Sequence, residues 1–330
     1  MSPLAGLPPL RRELALPGFS LGHGSDTRGM TGVTVILCPE GATAAAEARG
    51  SATGSRQLDS LVSPLHLATR AHALVFAGGS GFGLSAADPV VEWLRARGKG
   101  FATGLVPVPL VPTAILFDLG FGDSGACPDR ALVEAALAAA GEGEIAVGSV
   151  GAGTGATVGK ALGLAQAMKG GFGFASSTLD SGLEVAAAVA VNAFGDIVDG
   201  DSGERLAGCR TTPEGRELAT AERTLAALTG PAHPWEGNTT LVAVLTNATL
   251  AKSEAIKVCQ MAFGGIYRTH RPALSLYDGD LVVTLASGSV TAPLNQVGWL
   301  AERTVAAAIA LGIRAADGFG RLPAHRDLVR

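Results

Sequence analysis

In this 330-residue chain, the segment with the most chemical content is Gly237-Asn238-Thr239-Thr240. It follows a long polar stretch and opens a strongly apolar run, Leu241 to Thr246 (LVAVLT). A β-branched threonine at the start of a strand is unremarkable by itself. The chemistry open to it is self-cleavage. The Thr239 hydroxyl would attack the Asn238 carbonyl, the acyl group would shift from nitrogen to oxygen, and water would release the ester. Thr239 would then be a new chain terminus. A hydroxyl is a weak nucleophile until a base takes its proton, and a free α-amino group on the same residue is such a base. The reference pKa of that amine, about 7.7–8.0, leaves a substantial neutral fraction near neutrality. A hydrolase built this way needs no histidine signature.

Other motifs invite different chemistry and fail on spacing. Gly148 to Lys160 (GSVGAGTGATVGK) ends in Gly-Lys as a phosphate loop does. However, five residues separate Gly153 from Gly159 where four are required, and Ala161 stands where Ser or Thr would meet magnesium. Gly78 to Leu84 (GGSGFGL) resembles a nucleophile elbow, but Phe82 replaces its second glycine, so a tight strand-to-helix turn is expected. The histidines (His23, His66, His72, His233, His270, His325) show neither HExxH nor paired spacing. A triad through His23 would have to assemble in space, and structural roles are expected for all of them. Cys38, Cys127, Cys209 and Cys259 lie far apart, as free thiols of a cytosolic protein would. The sequons at Asn238 and Asn247 read as chance matches.

The elements that must position these residues alternate between strand and helix. Gly32–Cys38, His72–Ala77, Thr113–Leu119, Leu183–Val191 running into Asn192, Thr239–Thr246 and Leu281–Ala286 read as buried strands. Ala86–Arg97, Arg130–Ala140, Ala251–Ile266 and Gln296–Ile313 carry helical spacing, with Glu302 and Arg303 exposed on the last. From Asp199 to Asn238 the apolar runs disappear, apart from a short helix around Glu217–Leu228. A linker is the bland reading, but similar strand patterns on both sides make it a long surface excursion of one domain.

Composition sets the class. Apolar residues reach 47% while charged residues are only 16%, against a usual value of roughly 25%. A core is therefore assured, and so little charge suggests surface buried between subunits. The 46 glycines are about double the usual share. A net charge of −4 without a basic block points away from nucleic acid. Val305–Ile313 is far short of the roughly 20 residues a bilayer needs, prolines interrupt Leu105–Phe117, and no secretion pattern opens the chain. A cytoplasmic protein without membrane contact is expected.

Taken together, PGFSLGH, TGVTVIL, FAGGSGFGLSAADPVVEWLRARGKGF, VPTAILFDL, VGAGTGATVGK, VNAFGD, GNTTLVAVLTNA and LYDGDLVVTLASG resemble the DmpA-type N-terminal-nucleophile hydrolases. That family includes L-aminopeptidase/D-esterases, β-peptidyl aminopeptidases, a pantetheine hydrolase and the nylon-oligomer hydrolase. The resemblance runs from about Leu16 to Arg314, and the order of GNTT and then DGD is its specific part. It implies an α/β fold, a four-layer αββα sandwich, forming a tetramer or larger homo-oligomer. It also implies cleavage of Asn238–Thr239 into chains 1–238 and 239–330, and hydrolysis of small amides or peptides without cofactor or metal.

By motif, Thr239 matches the nucleophile and Asn192 the side-chain donor to the oxyanion. Such a donor is worth about 3 kcal/mol. Asp278 and Asp280 match the acids of the nylon-oligomer branch, and Lys160 matches its lysine. Residues i and i+2 of an extended segment share a face, so both carboxylates can meet one site. Two like charges there raise one pKa unless a cation is near, a role open to Lys160, which would also hold the Thr239 hydroxyl and later its amine. Serine replaces the first acid in the aminopeptidase members. Two rival readings remain, an acyltransferase like the ornithine acetyltransferases, whose motif is missing here, and an uncut oligomeric binding protein.

Overall fold

The computed structural model describes residues 6–227 and 237–328. Nine strands form one continuous sheet: β1 (Ser20–Asp26), β2 (Thr31–Ala48), β3 (Gly54–Arg56), β4 (Arg70–Ala77), β5 (Thr113–Ile115), β6 (Gly171–Thr178), β7 (Glu184–Asn192), β8 (Thr239–Ala248) and β9 (Leu281–Val290). Their order is β6-β7-β8-β9-β2-β4-β5-β3, with β1 also paired to β2. The pairs β8·β9 and β4·β5 are parallel, and the other pairs are antiparallel. The longer helices are α1 (Ala87–Arg95), α2 (Arg130–Ala138), α3 (Ala221–Ala227), α4 (Lys252–Thr269) and α5 (Leu294–Arg314).

Alternation along the strands builds three apolar layers. Val189, Val191, Val242, Val244 and Val282 point to Val258, Phe263, Val305 and Ile309 of α4 and α5. Their neighbours Ala188, Ala190, Leu241, Ala243 and Val283 point the other way, into a middle core shared with Ile36, Leu74 and Phe76. On the far side, Val33, Val35, Val75 and Ala77 meet Val90, Leu94 and Val133 of α1 and α2. Strands from opposite ends of the sheet share the middle core, so the sheet closes on itself. The bend is in the 18-residue β2, whose pairing with β4 shifts register between Leu37 and Ala42. Helix, sheet, sheet and helix therefore stack as αββα.

Several elements differ from the expected ranges. The strand at Thr113 ends at Ile115; Leu116 N–H makes the last bond to the neighbouring strand, at Ala77, and the chain then turns at Asp118. The short helix starts at Ala221, where the Thr220 hydroxyl accepts the Arg223 N–H at 3.0 Å and caps it. Leu228 lies outside the described residues. β1 and β6 are absent from the expected strands because glycines stand on one face of each, although Phe172 and Phe174 alternate with them in β6. A Cβ on Gly22 or Gly24 would sit 2.0 or 2.2 Å from carbonyl oxygens of α2, and one on Gly173 would sit 1.7 Å from Ala308 O of α5. These strands are glycine-rich so that helices can lie directly on their backbone. At Gly79 (φ +79°) the chain does make a strand-to-helix turn. The four cysteines are free thiols. Among the described residues no helix is long and apolar enough to cross a membrane.

Candidate active site

Thr239 is the first residue of β8, in the middle of the sheet, and lies directly opposite Asn192, the last residue of β7. Opposed residues of an antiparallel pair share a face, so both side chains point to the middle-core side, in line with Leu241 and Ala190. Asn238 bridges to Asp278, just ahead of β9. Three strand ends therefore bring Asn192, Asn238–Thr239 and Asp278–Asp280 together. Each of these side chains is nearly inaccessible, and Lys160 is as well.

The Thr239 hydroxyl donates to the carbonyl oxygen of Asn238. A second donor reaches that oxygen, the N–H of Gly279 at 2.7 Å. Gly279 had no role in the sequence reading. It fits here because it has no side chain, since a Cβ would lie 2.8 Å from Thr239 Oγ1 and 2.7 Å from Ala52 O. Asn238 N–H donates to Tyr277 O at 3.1 Å, which fixes the peptide from the other side. Gly237 holds φ +44° against Phe117, and a Cβ there would lie 2.5 Å from the Phe117 Cβ. The Asn238–Thr239 bond is thus held with its carbonyl oxygen facing two donors.

Asn192 is oriented by its partners. Its Oδ1 accepts from Lys160 Nζ at 2.9 Å and from Thr157 N–H at 2.9 Å, and its Nδ2 donates to Phe117 O at 3.0 Å. A lysine ammonium and a backbone N–H can only donate, so the amide orientation is fixed. Lys160 Nζ also reaches Asn192 O at 3.2 Å. In this uncut chain, then, the donor face of Asn192 lies on Phe117, and the N–H on the Asn238 carbonyl oxygen is that of Gly279.

The two acids differ. Asp278 accepts Phe194 N–H at 3.1 Å on one oxygen and Ser275 N–H at 2.8 Å on the other. Burial raises its pKa, while those donors and the Lys160 charge oppose the rise. Asp280 accepts Thr240 N–H at 2.6 Å on Oδ1, and its Oδ2 is buried without a partner. Burial first, and then the Asp278 charge, push its pKa well above the usual carboxylate range. Ionisation is therefore more disfavoured at Asp280 than at Asp278, whose two oxygens each accept an N–H. The Asn238 Oδ1 is also buried without a partner.

His23 sits elsewhere, 2.9 Å from Thr34 Oγ1 and edge-on to Phe172. The Gly148–Lys160 segment wraps around Lys169, whose ammonium donates to the carbonyls of Gly153, Ala156 and Gly170 at 2.7, 2.8 and 3.0 Å.

The sequence matches the model of peptidase family S58 over residues 16–318. An aminopeptidase of Mycobacterium tuberculosis, uncharacterised by its own name, is 36% identical over 335 residues, covering 94% of this chain and 92% of the relative. The 6-aminohexanoate-oligomer endohydrolase of Paenarthrobacter ureafaciens is 30% identical over 285 residues, covering 84% of this chain and 75% of that enzyme. Among solved structures, the L-aminopeptidase D-Ala-esterase/amidase of Ochrobactrum anthropi, described as a variant of the Ntn hydrolase fold, superposes with TM-score 0.71 at 17% identity, covering 96% of this chain and 89% of that one. A Burkholderia β-aminopeptidase superposes with TM-score 0.70 at 21% identity, covering 98% and 94%.

Proposed function

We propose, from the premise that this chain belongs to peptidase family S58 and hydrolyses peptide or amide bonds, that it first cuts itself between Asn238 and Thr239. The observation carrying this reading is the Asn238 carbonyl oxygen, which receives both the Thr239 hydroxyl and the Gly279 N–H. Attack forms the Thr239 Oγ1–C bond and places negative charge on that oxygen, where the Gly279 N–H opposes it. The C–N bond then breaks and the nitrogen takes the hydroxyl proton, leaving an ester. Water hydrolyses the ester to an Asn238 carboxylate and a free Thr239 amine.

In the mature enzyme the Thr239 amine acts as the base for its own hydroxyl. A substrate acyl group takes the place of Asn238, its amine leaves with a proton, and water releases the acyl-enzyme. Lys160 and Asp278 hold Asn192 and the loop before β9 in register, and Asn192, whose Nδ2 keeps a second hydrogen beside the one it gives to Phe117 O, serves as the second oxyanion donor for the substrate. Small peptides, amino-acyl amides and ω-amino-acid oligomers are the substrate classes to assay. The 30% identity to an oligomer endohydrolase and the acid at position 278 support including the last of these. A homo-oligomer is also proposed, with exposed apolar residues such as Leu65 and Leu105 as candidate contact surface. Light scattering tests it.

The experiment is a denaturing gel with end-group sequencing. Purified protein is expected to give two fragments, the smaller beginning at Thr239. Thr239→Ala is expected to give one intact, inactive chain. Wild-type protein that stays whole yet hydrolyses amides would overturn the reading.

A further inference from the structure

A glycine-rich turn that the reaction above does not use, Gly78–Gly79–Ser80, reaches the site through its main chain. It follows β4 with two left-handed residues in succession, Gly79 and Ser80 (φ +79° and +53°). Successive N–H groups in such a turn point into one concavity that suits an anion or a carbonyl. Here they grip a single segment on both sides of Phe117. Ser80 N–H donates to Leu116 O at 3.0 Å, and Gly79 N–H donates to Asp118 Oδ1 at 2.7 Å. Leu116 N–H donates in turn to Ala77 O at 2.9 Å. Asp118 is 4% exposed, and its carboxylate lies against the turn, since a Cβ on Gly78 would sit 2.1 Å from Asp118 Oδ2.

Phe117, bracketed in this way, presents its carbonyl to Asn192 Nδ2 at 3.0 Å. That contact settles where the rest of the amide points. The Asn192 amide is planar, with two acceptor positions on Oδ1 and two hydrogens on Nδ2. Lys160 Nζ and Thr157 N–H take the acceptor positions, both at 2.9 Å, and Phe117 O takes one hydrogen. Three fixed directions in one plane leave no freedom to the fourth. The second Nδ2 hydrogen, the one offered to the substrate oxyanion, is therefore aimed by the position of Phe117 O. Oxyanion donors act through such pre-set placement, and a displacement of about 1 Å can cost on the order of a hundredfold in rate.

We propose that Asp118 is a positioning residue for the hydrolysis: its carboxylate, seated on the Gly79 N–H, holds the Phe117 carbonyl where it orients Asn192. The main-chain bonds of Leu116 fix the side before Phe117, and the Asp118 carboxylate fixes the side after it. A turn with the look of a nucleophile elbow thus serves the site through its N–H groups and not through its serine hydroxyl. The proposal rests on the reading of Asn192 as an oxyanion donor.

NMR of asparagine-labelled protein tests it directly. The chain has four asparagines, Asn192, Asn238, Asn247 and Asn295, and the pair of side-chain N–H signals missing from Asn192→Ala identifies Asn192. In uncut Thr239→Ala, Asp118→Ala is expected to shift that pair and to speed exchange of the hydrogen on Phe117 O. In the mature enzyme, Asp118→Ala is expected to lower kcat about tenfold with little change in KM, a part of the hundredfold or more that goes with a whole oxyanion donor. Asp118→Asn keeps an acceptor for Gly79 N–H and should restore both readings. On an Asn192→Ala background, Asp118→Ala should cost nothing further, because residues that act through one another are not additive. Unmoved Asn192 signals in folded Asp118→Ala, an equal loss in Asp118→Asn, or losses that multiply in the double variant would each overturn the proposal. Wild-type protein that stays whole would overturn self-cleavage alone, since the signals are read in an uncut chain. If Asp118→Ala does not fold, Asp118→Glu decides. Its carboxylate stands one methylene further out and should move the same signals and kcat; a variant indistinguishable from wild type would sink the proposal.

Discussion

Asp196, the first residue of a short strand in a separate three-stranded sheet, and Asp280, just ahead of β9, are both buried carboxylates, and they differ in how completely they are satisfied. Asp196 accepts Cys209 N–H at 3.0 Å on one oxygen and Ala221 N–H at 3.1 Å on the other, with Arg205 at 3.8 Å. Asp280 has one N–H, one empty oxygen and a second acid as neighbour. A fold tolerates the first arrangement as cross-linking of backbone. The second carries the full penalty of an unpaired buried polar atom, which is typical of sites kept for chemistry. Lys169, with three carbonyls on its ammonium, belongs to the first kind.

The largest expected effect separates the two acids. Asp280→Asn should slow both self-cleavage and turnover by about a hundredfold or more, within the range for a positioned acid or base, while the melting temperature holds. Equal loss of stability and activity in that variant would erase the contrast. Asp196→Asn should do the opposite. Its new NH2 group meets a backbone N–H, at a cost of about 1–3 kcal/mol, so melting falls by several degrees while turnover per folded molecule is kept. Calorimetry beside a per-molecule assay reads both. Gly237→Ala probes the cut alone. Its methyl would push the left-handed turn off Phe117, slowing fragment appearance by about tenfold, as misplacement of reacting groups does, while mature protein turns over normally. An equal slowing of turnover would place Gly237 in the mature site.

The smallest effect lies outside both regions. Burial pulls His23 down to about 4 from 6.5. Below 6.5 the unfolded chain binds a proton that the folded chain refuses, so folding loses up to about 1.4 kcal/mol per pH unit from this residue as pH falls toward 4. His23→Gln lacks that penalty. The gap in melting temperature between wild type and variant should therefore narrow from pH 7 to pH 5, and a constant gap would show that His23 is not held neutral.

Much of this frame was legible in the chain. Apolar runs such as Leu183–Val191 and Leu281–Ala286 are buried on both faces, so their strand character is written in continuous hydrophobicity. β1 and β6 were harder to read because one face of each meets a helix backbone through Gly22, Gly24 and Gly173, which leaves only the other face, such as Phe172 and Phe174 of β6, to show the alternation. At the site, residue types such as Thr239, Asp278 and Asp280 suggest roles. Gly279 and Phe117 contribute main-chain atoms, which no residue type reveals. The hold that Ala77, Gly79 and Ser80 take on either side of Phe117 joins two segments only in three dimensions.

The sheet order has a consequence for what remains after the cut. β8 and β9, both from the segment after residue 238, lie between β7 and β2, both from the segment before it. The two products would be interleaved, neither owning a complete sheet, and dilution alone would not part them. Once heat or denaturant opens the sheet, however, reassembly is a meeting of two separate molecules, whereas the precursor folds as one. Mature protein should therefore unfold in a practically one-way manner, its durability set by how slowly it opens.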